Sequence, residues 1–134
     1  MNFDRGSAPG GRKTEERRYN HPSIQYNQLS DTGLWVSEAG FGTYCTDDHN
    51  SDHKDSLKHA LFNGINLIDT SSNYMNGRSE QLIGNTLKEL QKEHNISREE
   101  IVIVSKGGYI QGTNYDESQN KKKEGTPYPE LIEL

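Results

Sequence analysis

Apolar residues along this chain come in short, separated bursts, and the spacing within each burst predicts an element. Residues 24–29 (IQYNQL) and 34–36 (LWV) flank Ser30-Asp31-Thr32-Gly33. That arrangement predicts a hairpin over 24–36, with Gly33 free to take positive φ. Residues 38–43 (EAGFGT) read as a short strand opening into a glycine-punctuated loop. Leu57, Ala60 and Leu61 fall at i, i+3 and i+4, which predicts a helix over 52–63 ended by Gly64. Residues 65–68 form a second strand. Ser79 stands where an N-cap belongs, before a helix that runs to about His94 with Leu82, Ile83, Leu87 and Leu90 on one face. Ser97-Arg98-Glu99-Glu100 has the spacing of a capping box. The run IVIV at 101–104 suits a parallel strand covered on both faces. A hairpin followed by strand–helix–strand–helix–strand predicts a parallel α/β sheet, open or closed.

The ends lack such periodicity. Residues 1–23 read as a flexible N-terminal extension. Residues 111–126 read as an exposed polar loop, with Lys121-Lys122-Lys123 as solvated charges in preference to a basic binding patch. Residues 128–134 resemble the first turn of another helix, with Pro129 near its start. The chain has 134 residues, room for one modest domain. Only 29% of residues are hydrophobic and 26% are charged, so the middle must supply any core. The net charge of −5 argues against a nucleic-acid partner. No apolar run approaches the roughly 18 residues of a membrane span, and the N-terminus has no apolar leader. A soluble cytoplasmic protein without a membrane partner is the expectation. The single cysteine, Cys45, cannot form an internal disulfide and reads as a small packing residue.

In parallel α/β folds, chemistry gathers at the carboxyl ends of the strands. Here those ends carry Gly42-Thr43-Tyr44, then Asp69 with Tyr74 in its loop, then Ser105-Lys106. Converging strand ends bring Asp69, Tyr74 and Lys106 within reach of one another. A free tyrosine ionises near pH 10, too high for easy proton transfer. A neighbouring ammonium favours the phenolate, and a carboxylate holds that ammonium in place. Such a tyrosine can donate a proton to a carbonyl oxygen that gains negative charge. Each residue also has a plainer reading. Asp69 with Thr70 and Ser71 can simply begin a turn. Tyr74 can pack on the rim. Lys106 can be a surface lysine or a Schiff-base amine. Asp47, Asp48, His49, Asp52 and His53 look metal-like in composition, but their spacing matches solvated charges and helix capping better.

Four segments in this order, DTGLWVSEAGFGTY, GINLIDTSSNY, GRSEQLIGNTL and IVIVSKGGY, resemble the aldo-keto reductase superfamily from about Ile24 to Tyr109. The resemblance implies the N-terminal portion of a (β/α)8 TIM barrel preceded by a β-hairpin, with the barrel incomplete in this chain. Residues 24–134 then hold the hairpin, the first three βα positions and the polar loop 111–126. It further implies hydride transfer from NADP(H) to a small aldehyde or ketone, and a chain that is inactive alone. Residue by residue, Tyr74 matches the general acid, Lys106 its tuning partner and Asp69 the acid that pairs with Lys106. Gly42, Thr43, Tyr44 and Asp69 match the nicotinamide end of the cofactor site, and no metal is implied. The fourth catalytic residue of the family is a histidine after the next strand. His21, His49, His53, His59 and His94 all precede the third strand, so none fills it. The alternatives are a non-catalytic or regulatory NADP-binding subunit of the same family, or a Schiff-base lyase-type barrel using Lys106. The substrate, the preference between NADP and NAD, and the oligomeric state stay open.

Overall fold

The computed structural model describes residues 9–110 and 112–126. The expected hairpin pairs β1 (Tyr26–Gln28) antiparallel with β2 (Trp35–Ser37), in the register Tyr26↔Ser37 and Gln28↔Trp35. Gly33 takes φ 79° in the turn. A second sheet is wholly parallel, in the order β3 (Phe41–Gly42), β4 (Leu67–Asp69) and β5 (Val102–Val104). Among the described residues it has three strands and does not close.

Helix α2 (Ser51–Phe62) crosses from β3 to β4, and helix α3 (Arg78–His94) crosses from β4 to β5. The Asn50 side chain caps α2 by accepting from Asp52 N–H at 2.9 Å. The chain leaves α2 through Gly64 at φ 108°, where a Cβ would come within 2.9 Å of the His21 ring, so both backbone and space demand glycine. Leu57 and Leu61 of α2 meet Leu82, Ile83 and Leu90 of α3 over Ile68 and Ile101, and all seven are buried. Truncating any of these leucines would cost about 2–5 kcal/mol. Within this core the sequence periodicity and the structure agree.

The N-terminal segment and Ser79 differ from the sequence reading. Residues 9–20 of the expected flexible extension form helix α1 (Pro9–Asn20). Arg17 and Thr14 of α1 are buried, at 2% and 0% exposure. The Arg17 guanidinium pairs with Glu100 at 3.1 Å and donates to the Leu61 and Ile65 carbonyls at the end of α2. Thr14 Oγ1 accepts from Trp35 N–H at 3.0 Å. A helix anchored by buried polar groups leaves no apolar stripe to read. Ser79 is not a cap, because it lies inside α3. Its hydroxyl reaches the Thr43 and Thr46 carbonyls, at 2.9 and 2.5 Å, and ties α3 to the loop after β3.

The single turn at Arg98–Glu100 does carry the expected return contact, with Ser97 N–H donating to Glu100 Oε1 at 2.8 Å. The expected polar loop over 111–126 contains helix α4 (Gly112–Lys123), which buries none of its residues. Its exposure fits the reading; its helicity had no periodic apolar signal. The helical turn expected near Pro129 lies outside the described residues.

Candidate active site

The register of the parallel sheet aligns Gly42, Asp69 and Val104 across its carboxyl edge. Lys106 leaves β5 two residues later and folds back over that edge. Its ammonium donates to Asp69 Oδ1 at 2.7 Å and to the Thr70 carbonyl at 2.7 Å. The Lys106 and Asp69 side chains are about half exposed, at 46% and 53%, so the pair stands at a solvent-facing rim. The hydrogen bond that Lys106 donates to Asp69 holds the Lys106 pKa above the usual lysine value, with a further contribution from Tyr74. Lys106 is therefore a firmly protonated ammonium near neutrality.

Tyr74 opens a one-turn 3₁₀ segment, Tyr74–Gly77, between β4 and α3. Three consecutive residues there are left-handed: Met75 at φ 50°, Asn76 at φ 55° and Gly77 at φ 86°. Non-glycine residues pay a steric cost in that region. This turn brings the Tyr74 ring centroid to 5.1 Å from Lys106 Nζ. Tyr44 meets the same ring edge to face, with centroids 5.1 Å apart and planes at 87°. The structure thus brings together Asp69, Tyr74 and Lys106, the three residues singled out from strand ends, and adds Tyr44.

The polar run after Asp69 has a second use that strand-end spacing did not reveal. Ser72 N–H and Ser72 Oγ both lie 3.1 Å from the Lys106 carbonyl, and Ser71 Oγ is also 3.1 Å from it. Thr70 N–H donates to the Val104 carbonyl at 2.8 Å. The Lys106 backbone is therefore fastened to the β4 loop while its side chain is held by Asp69. The visible signal was the run of small hydroxyl residues itself.

Thr43 is fully buried, and both its N–H and its hydroxyl lie 3.0 Å from the Asp69 carbonyl. It anchors the loop, leaving Gly42 and Tyr44 as the groups presented outward. A Cβ on Gly42 would meet nothing within 4 Å, so open space faces this backbone. Cys45 is exposed, which corrects its reading as a packing residue. The metal-like cluster is spent on local bonds. Asp47 Oδ1 accepts from His49 N–H at 2.9 Å, and Asp47 N–H donates to His53 Nδ1 at 3.1 Å. The first of these bonds is the main reason the Asp47 pKa lies below the usual carboxylate value. A groove of 390 Å³ between α3 and β5, lined by Ile83, Gly84, Leu87 and Ile103, contains none of the three strand-end residues.

A parallel βαβαβ unit thus carries a carboxylate–lysine pair and a tyrosine at its strand ends. Residues 38–126 match the Aldo/keto reductase family, and the chain belongs to that family. It is 32% identical over 91 residues to Aldo-keto reductase YhdN of Bacillus subtilis (strain 168), covering 62% of this chain and 25% of the relative. It is 34% identical over 86 residues to a "Probable voltage-gated potassium channel subunit beta" of Arabidopsis thaliana, covering 62% and 25%. Among solved structures it resembles aldo-keto reductase AKR11C1 from Bacillus halodurans (holo form). There the TM-score is 0.54 at 30% identity, covering 67% of this chain and 28% of that one. The chain thus spans about a quarter of the length of these curated relatives. The fold is α/β and corresponds to part of an aldo-keto reductase barrel. Among the described residues no helix is long and apolar enough to cross a membrane.

Proposed function

We propose that this chain forms the N-terminal part of an NADP(H)-dependent oxidoreductase that reduces a small aldehyde or ketone, with Tyr74 as the general acid. The observation that carries this reading is the placing of one ammonium, Lys106, between Asp69 Oδ1 at 2.7 Å and the Tyr74 ring at 5.1 Å. That ammonium stands beside the phenol that would give its proton to a carbonyl oxygen gaining charge. Asp69 keeps that ammonium in place. Ser71 and Ser72 hold the backbone beneath it.

The residues present fit the nicotinamide end of a dinucleotide. Gly42 leaves open space beside the strand end, and the half-exposed Asp69 carboxylate can accept from a ribose hydroxyl. Tyr44 offers an exposed ring on the same rim. Thr43 is buried beneath this set and anchors the loop that carries Tyr44. When bound, the dinucleotide supplies the hydride. Further support comes from the aldo-keto reductases among the relatives.

Two other readings carry less weight. The potassium channel beta subunits among the relatives fit the alternative of a non-catalytic or regulatory subunit. The Schiff-base reading of Lys106 is disfavoured, because a raised pKa leaves little neutral amine to attack a carbonyl.

The test is Tyr74→Phe in the natural protein that carries this chain. It keeps the ring and removes the acidic hydroxyl. Carbonyl reduction should fall by roughly 10²–10⁴-fold, the contribution of a positioned general acid, while NADPH affinity changes little. Lys106→Met should act in the same direction. The double variant should be far less impaired than the product of the two losses, since the residues act as one unit. Full activity in Tyr74→Phe would remove the proton-donor assignment.

A further inference from the structure

Tyr44 is an aromatic residue whose side chain adds little to the core, since it is 71% exposed. Its backbone is nevertheless mounted firmly. The preceding residue, Thr43, is tied through its N–H and hydroxyl to the Asp69 carbonyl. The Thr43 carbonyl accepts from Ser79 Oγ at 2.9 Å and from the Thr46 backbone and hydroxyl at 3.1 Å. Strand β4 and helix α3 therefore both hold the short loop that carries Tyr44. The ring on this mount makes one aromatic contact, the edge-to-face contact with Tyr74.

Tyr74 is in the opposite situation. Its own segment continues into two left-handed non-glycine residues, Met75 and Asn76, a conformation that local sterics disfavour and surrounding contacts must maintain. Lys106 Nζ, held by Asp69 and the Thr70 carbonyl, stands 5.1 Å from its ring centroid, but a point charge does not fix the ring plane. The Tyr44 ring, set perpendicular to the Tyr74 ring on a firmly held backbone, supplies what the turn and the point charge lack, a wall that limits rotation of the phenol. Perpendicular pairs at about this centroid separation are favourable beyond the area they bury.

We propose that Tyr44 is a positioning residue for Tyr74, holding the phenol at Lys106 through the edge-to-face contact of the two rings. This rests on the proton-donor role of Tyr74 proposed above and goes beyond a cofactor-facing role for Tyr44. The ring is the working part; the Tyr44 hydroxyl is dispensable.

The test is spectroscopic, so it needs neither cofactor nor turnover. In the 134-residue chain with 13C-labelled tyrosine rings, Tyr74 should show ring-current-shifted signals and cross-peaks to the Lys106 side chain. Tyr44→Ala should move the Tyr74 signals toward free-tyrosine values and weaken the Lys106 cross-peaks by roughly 2–10-fold, the population change that one lost aromatic pair allows. Tyr44→Phe should retain both. Tyr44→Leu, which keeps apolar bulk on the same loop, should resemble Tyr44→Ala and covers the case in which alanine disturbs the loop. Undiminished Lys106 cross-peaks in the alanine and leucine variants, whatever the change in ring-current shift, would overturn the proposal. So would a loss in Tyr44→Phe equal to that in Tyr44→Ala. If Tyr74→Phe proved fully active, the proton-donor reading would fall while the ring measurement would stand on its own.

Discussion

Removing the guanidinium of Arg17 tests how α1 is fastened. Arg17→Met keeps most of the apolar stem and deletes the charge. Three contacts disappear: the ion pair to Glu100 at 3.1 Å and the donations to the Leu61 and Ile65 carbonyls. Breaking one side of a buried pair costs about 3–5 kcal/mol, because the partner is left uncompensated. Two features place this case at the lower end. Glu100 is 19% exposed and so can recover some water. It also keeps the Ser97 N–H on its other oxygen. The expected loss is therefore about 3 kcal/mol. With an m-value of about 2 kcal/mol/M, that moves the urea midpoint down by about 1.5 M. Trp35 is the single tryptophan of the chain, and the Arg18 guanidinium lies 3.8 Å from its ring centroid, so its fluorescence reports on α1 directly. Glu100→Gln added to Arg17→Met should cost little more, since the pair is already broken. A midpoint shift under about 0.3 M in Arg17→Met would show that α1 is not held by this residue, and the argument from buried polar anchors would fail.

Two other outcomes follow from the same structure. Burial, followed by the Arg17 charge, lowers the His21 pKa below 6.5, so the folded state prefers the neutral ring. Stability from His21 should be fully present above pH 6.5 and lost as pH falls through the lower folded value; a His21→Asn variant with the same decline between pH 7.5 and 5.5 would refute this. The 134-residue chain alone holds the nicotinamide end of the proposed site, so titrating NADPH fluorescence should give no saturation at micromolar cofactor and no carbonyl reduction; tight binding would mean that it holds more of the cofactor site than this end.

The elements that could be read from sequence are those whose stability comes from apolar burial. Leu57 with Leu61, and Leu82 with Ile83 and Leu90, announce their helices because a helical period places them on one face. The strand-end residues were legible for a related reason. Once three parallel strands are identified, Asp69 and Lys106 fall on one edge by register, and they meet at 2.7 Å. Helix α1 was not legible, since its buried side chains include Arg17 and Thr14 and its interactions are hydrogen bonds to distant carbonyls and amides. Helix α4 was missed because none of its residues is buried, which leaves no face to recognise. Ser79 was assigned to the wrong task for the same physical reason. A serine at a helix start can cap its own helix or reach a neighbouring loop, and local sequence does not distinguish the two.

Strand β4 links the illegible N-terminal layer to the legible site. Just before it, the fully buried Asn66 accepts from Ser37 N–H at 2.7 Å and donates to the Trp35 and Glu100 carbonyls at 2.9 and 3.1 Å. One side chain thereby joins the hairpin, the single turn before β5 and the start of β4. Glu100 is in turn the partner of Arg17. At the other end of β4, three residues on, stands Asp69, about 10 Å away at the usual strand rise. A strand this short has little room to absorb a displacement of one end before the other. The polar anchors around Arg17 and Asn66 therefore define where β4 begins, and the position of β4 defines where the Asp69 carboxylate meets Lys106. The N-terminal helix thus helps to set where β4 begins through Glu100, the residue that Arg17 and Asn66 both engage.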